Sequence, residues 1–421
     1  MLDRAETAKF VCVLANIPRP EPAQLVVQRF GAVVAGSGAV PWLLLEEGGA
    51  EHPGVSDFLR QMVASDYGAS SVRSYALALL RWLRFLRAVG VQWDRAGRED
   101  TRDFVLWMRA AAPARPASTR VPGTVNQRTG KRYLGSTFAP ATINHNLAVI
   151  STFYDHHIGQ GTGPLINPVP PRTSARGGRA DAHHNPLEPF RAGRRGVYRQ
   201  RVPQTAPRAM PDGMFDELFE AMRSHRDRAL LALYVSCGSR PAELLGITGA
   251  HLNYGEQLVG VIRKGTRALQ WLPASPDAFV WLLLYQNDLP GELMAVDQPV
   301  WWTLRRPWRP LDYDALRAVL RRANAELGTN WTSHDLRHTY AVRMANDPKV
   351  PLVSLQVLLG HVHLTTTQRY LRPHLDEVLQ HAREYYRRQA GDDVDESGPS
   401  LELGYDHGDL QELFGWQETV R

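Results

Sequence analysis

Residues 332–370 read TSHDLRHTYAVRMANDPKVPLVSLQVLLGHVHLTTTQRY. SHDLRHTYAVRMAND and PLVSLQVLLG place apolar residues three to four apart, the period of helices with one buried face. His334 and Arg337, three residues apart, then share a helix face. His361 follows Gly360 at the end of the second helix, nine residues before Tyr370, with TTTQRYL as a further helical segment. Taken singly, each has an ordinary reading. His334 suits a helix-start cap partner, His361 a helix end whose dipole favours a cation, and Tyr370 is one of 14 tyrosines, a type whose ring packs while its hydroxyl stays wet.

Upstream, SCGSRPAELLGIT sets Arg240 at a helix start opened by Pro241, with Glu243 three residues on and within ion-pair reach. By itself that pair is equally a local salt bridge. QLVGVIR and RALQWLP alternate as strands, and Lys264, Gly265 and Thr266 between them form a hairpin turn. Helical patterns surround this hairpin: MPDGMFDELFEAMRS, HRDRALLALYVSCG, PDAFVWLLLYQ, LDYDALRAVLRRANAEL and LDEVLQHAREYYRRQ. Residues 210–390 therefore read as a mainly helical domain with a small antiparallel β-sheet.

A second helical domain is expected over residues 53–165, from VSDFLRQMVASDYG, SSVRSYALALLRWLRFLRAVG, TRDFVLWMRAAA and PATINHNLAVISTFYDHHIGQG. The second of these lines one side with Val72, Tyr75, Leu79, Leu80, Leu83 and Leu86, leaving Arg73, Arg81, Arg84 and Arg87 as a basic remainder. That remainder suits either phosphate contact or simple solvation. The Pro-, Gly- and Arg-rich run around Lys131 and Arg132 reads as a long basic loop, either an insertion or a DNA-contacting arm. Residues 166–209 lack any period and read as a basic linker. Residues 1–52 form an N-terminal extension of unknown role, and residues 391–421 an acidic tail.

Charge is uneven along these 421 residues. Formal net charge is +6, yet the tail holds nine acids against Arg421, so the body is strongly basic and suited to a polyanion. Of 49 basic residues only Lys9, Lys131, Lys264 and Lys349 are lysines, which makes each one more informative. The only cysteines, Cys12 and Cys237, lie far apart, which argues against a disulfide framework and a cysteine zinc site; His183 and His184 lack matching ligands. With no apolar run of about 20 residues and no secretory pattern at the N-terminus, the expectation is a cytoplasmic protein without membrane contact.

In order and spacing, residues 210–390 resemble the catalytic domain of the tyrosine recombinase, or phage integrase, family. The arginine followed by an acid is Arg240 with Glu243, and the hairpin lysine is Lys264. The HxLRH box is His334 to His338, and the LGH box with its following nucleophile is Leu359, Gly360, His361 and Tyr370. Residues 53–165 resemble the family's core-binding domain more diffusely. One departure is Ser239, where an apolar residue more commonly precedes the arginine.

The resemblance implies the DNA breaking-rejoining enzyme fold and a transesterification through a 3′-phosphotyrosine, with no metal, ATP or other cofactor. Tyr370 would attack, His334 accept its proton, Arg240 and Arg337 clamp the non-bridging oxygens, and His361 donate a further hydrogen bond. Lys264 would protonate the leaving 5′ oxygen, Glu243 orient Arg240, and His338 pack or hydrogen-bond. The implied partners are double-stranded DNA at specific sites, sister protomers in a tetramer on that DNA, and an accessory directionality factor. Leu410, Leu413, Phe414 and Trp416 in the tail would dock on a neighbouring subunit. Two alternatives share the fold, a type IB topoisomerase-like enzyme and a catalytically silent DNA-binding protein. A metal-dependent nuclease would need a carboxylate cluster that the sequence does not display.

Overall fold

The computed structural model describes residues 21–113, 121–170, 196–203, 209–347 and 349–360, together with Arg383 and Arg387. Contacts divide the chain into two compact units, residues 1–204 and 205–421. Both are mainly helical with small antiparallel sheets.

The first unit is built on α1 (Pro53–Ala64), α2 (Ala69–Ala88), α3 (Arg98–Ala110) and α4 (Pro140–Gly159). Local chemistry sets their starts. His52 Nδ1 accepts from Val55 N at 3.2 Å beside a first-turn proline, and Gly97 N donates to Asp100 Oδ2 at 2.7 Å. Aromatic rings fill the centre, where Trp82, Phe85, Phe104, Phe153 and Tyr154 are fully buried. Each such ring contributes roughly 1.5–3 kcal/mol by leaving water. Their polar ends are satisfied, because Trp82 Nε1 donates to Tyr154 Oη at 2.9 Å and that hydroxyl donates to Trp93 O at 2.7 Å.

The extension before α1 belongs to this unit. β1 (Ala32–Ala35) and β2 (Trp42–Leu45) pair antiparallel, Ala32 with Leu45 and Ala35 with Trp42, and bury Leu44. The arginine face of α2 holds this hairpin in place. Arg84 donates from Nε to Phe30 O at 2.6 Å and from Nη2 to Gly31 O at 2.8 Å. Arg87 pairs with Glu47 at 2.6 Å, and Arg73 lies over the Trp42 ring.

The basic run also has more order than its composition suggests. Residues 121–135 turn back as a hairpin through the Val125 to Arg132 bridge, with Asn126 N donating to Lys131 O at 2.9 Å. Buried Asn126 closes the turn by accepting at Oδ1 from Arg128 N and Thr129 N. The residues anticipated as linker are likewise anchored at both described ends. Val169 and Pro170 are buried, and Asn144 Oδ1 accepts from Gln200 N at 2.7 Å.

The second unit contains α5 (Asp212–Glu220), α6 (His225–Cys237), α7 (Pro241–Leu245), α8 (Pro276–Asn287), α9 (Tyr313–Leu327), α10 (Ser333–Asn346) and α11 (Leu352–Leu359). α6 is apolar almost all round, with Ala229 to Tyr234 buried, so it takes the centre with α8 and α10 packed on it. A three-stranded sheet of β3 (Leu252–Asn253), β4 (Leu258–Ile262) and β5 (Leu269–Pro273) pairs in that order, with Val259 opposite Leu272. The two-residue β3 is too short to show a period in sequence. No helix among the described residues is long and apolar enough to cross a membrane.

Candidate active site

The site begins where α6 stops. Gly238 takes the left-handed conformation, φ +60°, and a Cβ there would lie 2.1 Å from Tyr340 Cδ1, so only glycine passes beneath α10 at this point. Ser239 follows fully buried, which accounts for a small residue there. Arg240 then caps α7, and Pro241 fixes the first turn.

Glu243, with 2% of its side chain exposed, gathers this corner together. Its Oε2 accepts from Arg240 N at 2.9 Å and from Arg263 Nη1 at 3.0 Å. Its Oε1 accepts from Arg240 Nη1 at 2.8 Å and from Lys264 N at 3.3 Å. Burial pushes this carboxyl up, but the backbone and side-chain donors of Arg240 and the charges of Arg263 and Arg240 outweigh it, and the group ends below the usual carboxylate range. One buried anion thus fixes the side chain of Arg240 and the backbone of Lys264, whose own side chain is exposed at the hairpin tip. Arg240 keeps 30% of its side chain open.

α10 enters from the other side. Thr332 opens it in a capping box, donating to Asp335 Oδ2 from N at 2.7 Å and from Oγ1 at 2.6 Å. That places His334 exposed in the first turn, its ring 4.6 Å from that of His338. One turn on, Arg337 differs from the open clamp expected of it, being only 2% exposed. Its Nη1 donates to Gly238 O at 2.6 Å and its Nη2 to Leu359 O at 2.7 Å, joining the α6–α7 turn to the end of α11. The neighbouring Tyr340 is a packing residue, its phenol pushed up to about 12 chiefly by burial.

α11 ends at Gly360, again left-handed at φ +60°. His361 and Tyr370 lie outside the described residues, as do Leu410, Leu413, Phe414 and Trp416. The structure therefore brings together Arg240, Glu243, Lys264 and Arg337, with His334 on the same helix as Arg337.

Two residues here escaped the sequence reading. Arg263 and Gln270 sit on the hairpin arms, with Arg263 Nε donating to Gln270 Oε1 at 2.7 Å. A signal was present: strand alternation puts Val259, Val261 and Arg263 on one face, and an arginine in a core-facing position requires a buried acceptor.

In the first unit the anticipated DNA contacts fall into two groups. Arg81 donates to Asn146 Oδ1 at 2.6 Å and stacks on Phe138, and Arg84 holds the β1 approach, so both are committed inside the unit rather than free for phosphate. Arg73, Arg87 and Arg132 are exposed, although Arg73 lies over the Trp42 ring and Arg87 pairs with Glu47, and Lys131 is half-buried on the 121–135 hairpin.

Fold and corner together define a mainly helical domain with one small sheet and a cluster of cations around a buried carboxylate. Residues 212–376 match the phage integrase family model. It is 30% identical over 204 residues to tyrosine recombinase XerD of Xanthomonas campestris pv. campestris, covering 44% of this chain and 62% of that one. With tyrosine recombinase XerC of Roseiflexus sp. it shares 25% identity over 327 residues, 75% of this chain and 88% of the relative. The chain spans between half and two thirds of the length of several XerD relatives, for example 55% of that of Pseudomonas aeruginosa. Among solved structures, the Tn1549 transposon integrase in complex with circular intermediate DNA shares the fold, with TM-score 0.52 and 14% identity over 78% of this chain and 98% of the other.

Proposed function

We propose that the protein is a site-specific DNA recombinase that cleaves and rejoins strands through a covalent bond to Tyr370. The observation that carries this reading is the shared carboxylate of Glu243, which fixes Arg240 and the backbone of Lys264 side by side. Among the described residues the corner sets Arg240, Arg263 and Lys264 around one carboxylate, and this excess of cations suits a phosphodiester, whose non-bridging oxygens bring negative charge.

In the proposed reaction the Tyr370 oxygen attacks phosphorus and loses its proton to His334. The bond from phosphorus to the 5′ oxygen breaks, and Lys264 protonates that oxygen, leaving a 3′-phosphotyrosine and a 5′ hydroxyl. Arg240 grips the non-bridging oxygens directly. Arg337 acts from beneath, its charge felt through the low-dielectric interior while its Nη groups hold Gly238 and Leu359. His361 supplies the further hydrogen bond, and His338 packs against His334. Attack by a second 5′ hydroxyl reverses the step and joins a new strand, with no ATP or metal cofactor consumed.

The partner is double-stranded DNA at paired sites, met by a homo-oligomer that becomes a tetramer on DNA and is steered by an accessory directionality factor. Arg73, Arg87, Lys131 and Arg132 are the backbone-contact candidates of the first unit.

The test uses nicked duplexes recovered from a randomised pool by selection for binding, incubated with the protein in the presence of a chelator. A covalent adduct mapped to the Tyr370 peptide, absent in Tyr370→Phe, is expected. An adduct that survives in Tyr370→Phe, or none in the wild type, overturns the reading. Joining of two duplexes, as against relaxation of supercoils alone, separates a recombinase from a type IB topoisomerase-like enzyme.

A further inference from the structure

The last carbonyls of a helix have no partner within it, and a buried helix end must find donors elsewhere. At α11 the three final carbonyls each take one from a different side chain. Val357 O accepts from Gln270 Nε2 at 3.0 Å, Leu358 O from Arg263 Nη2, and Leu359 O from Arg337 Nη2 at 2.7 Å. Two of these donors are cations at the negative end of the helix dipole. Gly360 completes the fit, because a Cβ there would lie 3.0 Å from Arg263 Nε.

Arg263 differs from the other two in what it holds at its far side. The same guanidinium donates from Nη1 to Glu243 Oε2 at 3.0 Å and from Nε to Gln270 Oε1 at 2.7 Å. Its side chain is 6% exposed, so it is not placed to meet a phosphate itself. A planar fork with donors in fixed directions can span three acceptors in one plane, which a lysine cannot.

We propose that Arg263 is a positioning residue of the strand-transfer site: it ties the carboxylate that orients Arg240 to the end of α11, and so sets the arginine and the hairpin lysine in register with the chain that continues to His361 and Tyr370. This rests on the recombinase reading above. Arg263 makes no contact with DNA in this role; it holds the Glu243 corner against the end of α11.

The experiment is single-turnover adduct formation at saturating nicked duplex, selected as above, with DNA affinity and thermal midpoint measured alongside. Arg263→Ala is expected to lower the rate constant by about 100-fold, the scale for a reacting group misplaced by an ångström, while DNA affinity changes by less than about threefold. Arg263→Lys, keeping the charge and part of the bonding, recovers part of the rate. A purely structural role would instead lower the burst amplitude, through fewer folded molecules, with the rate constant unchanged, and that result overturns the proposal. Should Arg263→Ala not fold, Gln270→Ala carries the test. It removes the Val357 bond and the acceptor of Arg263 Nε while the pair with Glu243 stays, and a rate constant equal to wild type overturns the proposal. Absence of a Tyr370 adduct in the wild-type protein run in parallel marks failure of the recombinase reading, whereas a normal wild-type adduct with unaffected variants marks failure of the Arg263 assignment alone.

Discussion

Arg337 Nη1 donates to the carbonyl oxygen of Gly238 at 2.6 Å, a bond between residues 99 positions apart. With the second bond from Nη2 to Leu359 O, it makes one buried guanidinium the joint between two turns that end in left-handed glycines, Gly238 and Gly360. Arg337→Ala leaves two buried carbonyls without these donors, at about 1–3 kcal/mol each. Arg337→Lys reaches one of them. Denaturant unfolding should rank wild type above the lysine variant and the lysine variant above alanine; equal midpoints would show that the bonds contribute nothing.

Glu243 gives a pH signature. Its folded carboxyl titrates below its ordinary value, so its contribution is complete above the unfolded pKa, about 4.3, and is lost as pH falls through the lower folded value. The stability difference between wild type and Glu243→Gln should be flat from about pH 6 to 8 and shrink below about pH 4.3. Unfolding measured across that range checks it, and a difference that grows on acidification contradicts the sign.

Lys264 is exposed, and among the described residues its tie to the site runs through its backbone. Lys264→Ala should therefore leave stability near wild type and lower the cleavage rate by about 10²–10⁴-fold, the range for a lost general acid. A duplex with sulfur in place of the bridging 5′ oxygen tests the role, because a thiolate leaves without a proton. Restoration of most of the rate is expected; an equally slow variant on both duplexes rules out Lys264 as the acid.

Arg84 holds the approach to β1 by two carbonyl bonds. Arg84→Ala should release the extension, and limited proteolysis should cut within residues 21–52 sooner than in wild type while α1 to α4 resist. Unchanged cleavage times would place the anchor in Leu44 packing instead.

Helix after helix was legible in the sequence because amphipathic spacing and local caps act within a few residues. The α10 stretch shows this: Thr332, Asp335 and the apolar positions Leu336 and Tyr340 fix its start and face without outside help. The tip of the β4–β5 hairpin was legible for the same reason, since Gly265 at φ +109° permits the turn. The order of Arg240, Lys264, His334 and Arg337 was also open to reading, but as a pattern, not as geometry.

Long-range bonding was not. α2 has arginines on its polar face whether they meet phosphate or protein, and only the folded unit gives Arg84 to Phe30 and Gly31 and Arg81 to Asn146. Likewise, sequence assigns Arg337 and Arg240 like roles, while tertiary structure buries the first and leaves the second partly open. Local preference is encoded by neighbours along the chain, and so the elements and the cation order were determined by sequence alone. Which carbonyls and carboxylates those cations meet depends on segments tens of residues apart closing on one another, and only the tertiary structure decided that Glu243 and the end of α11 share Arg263.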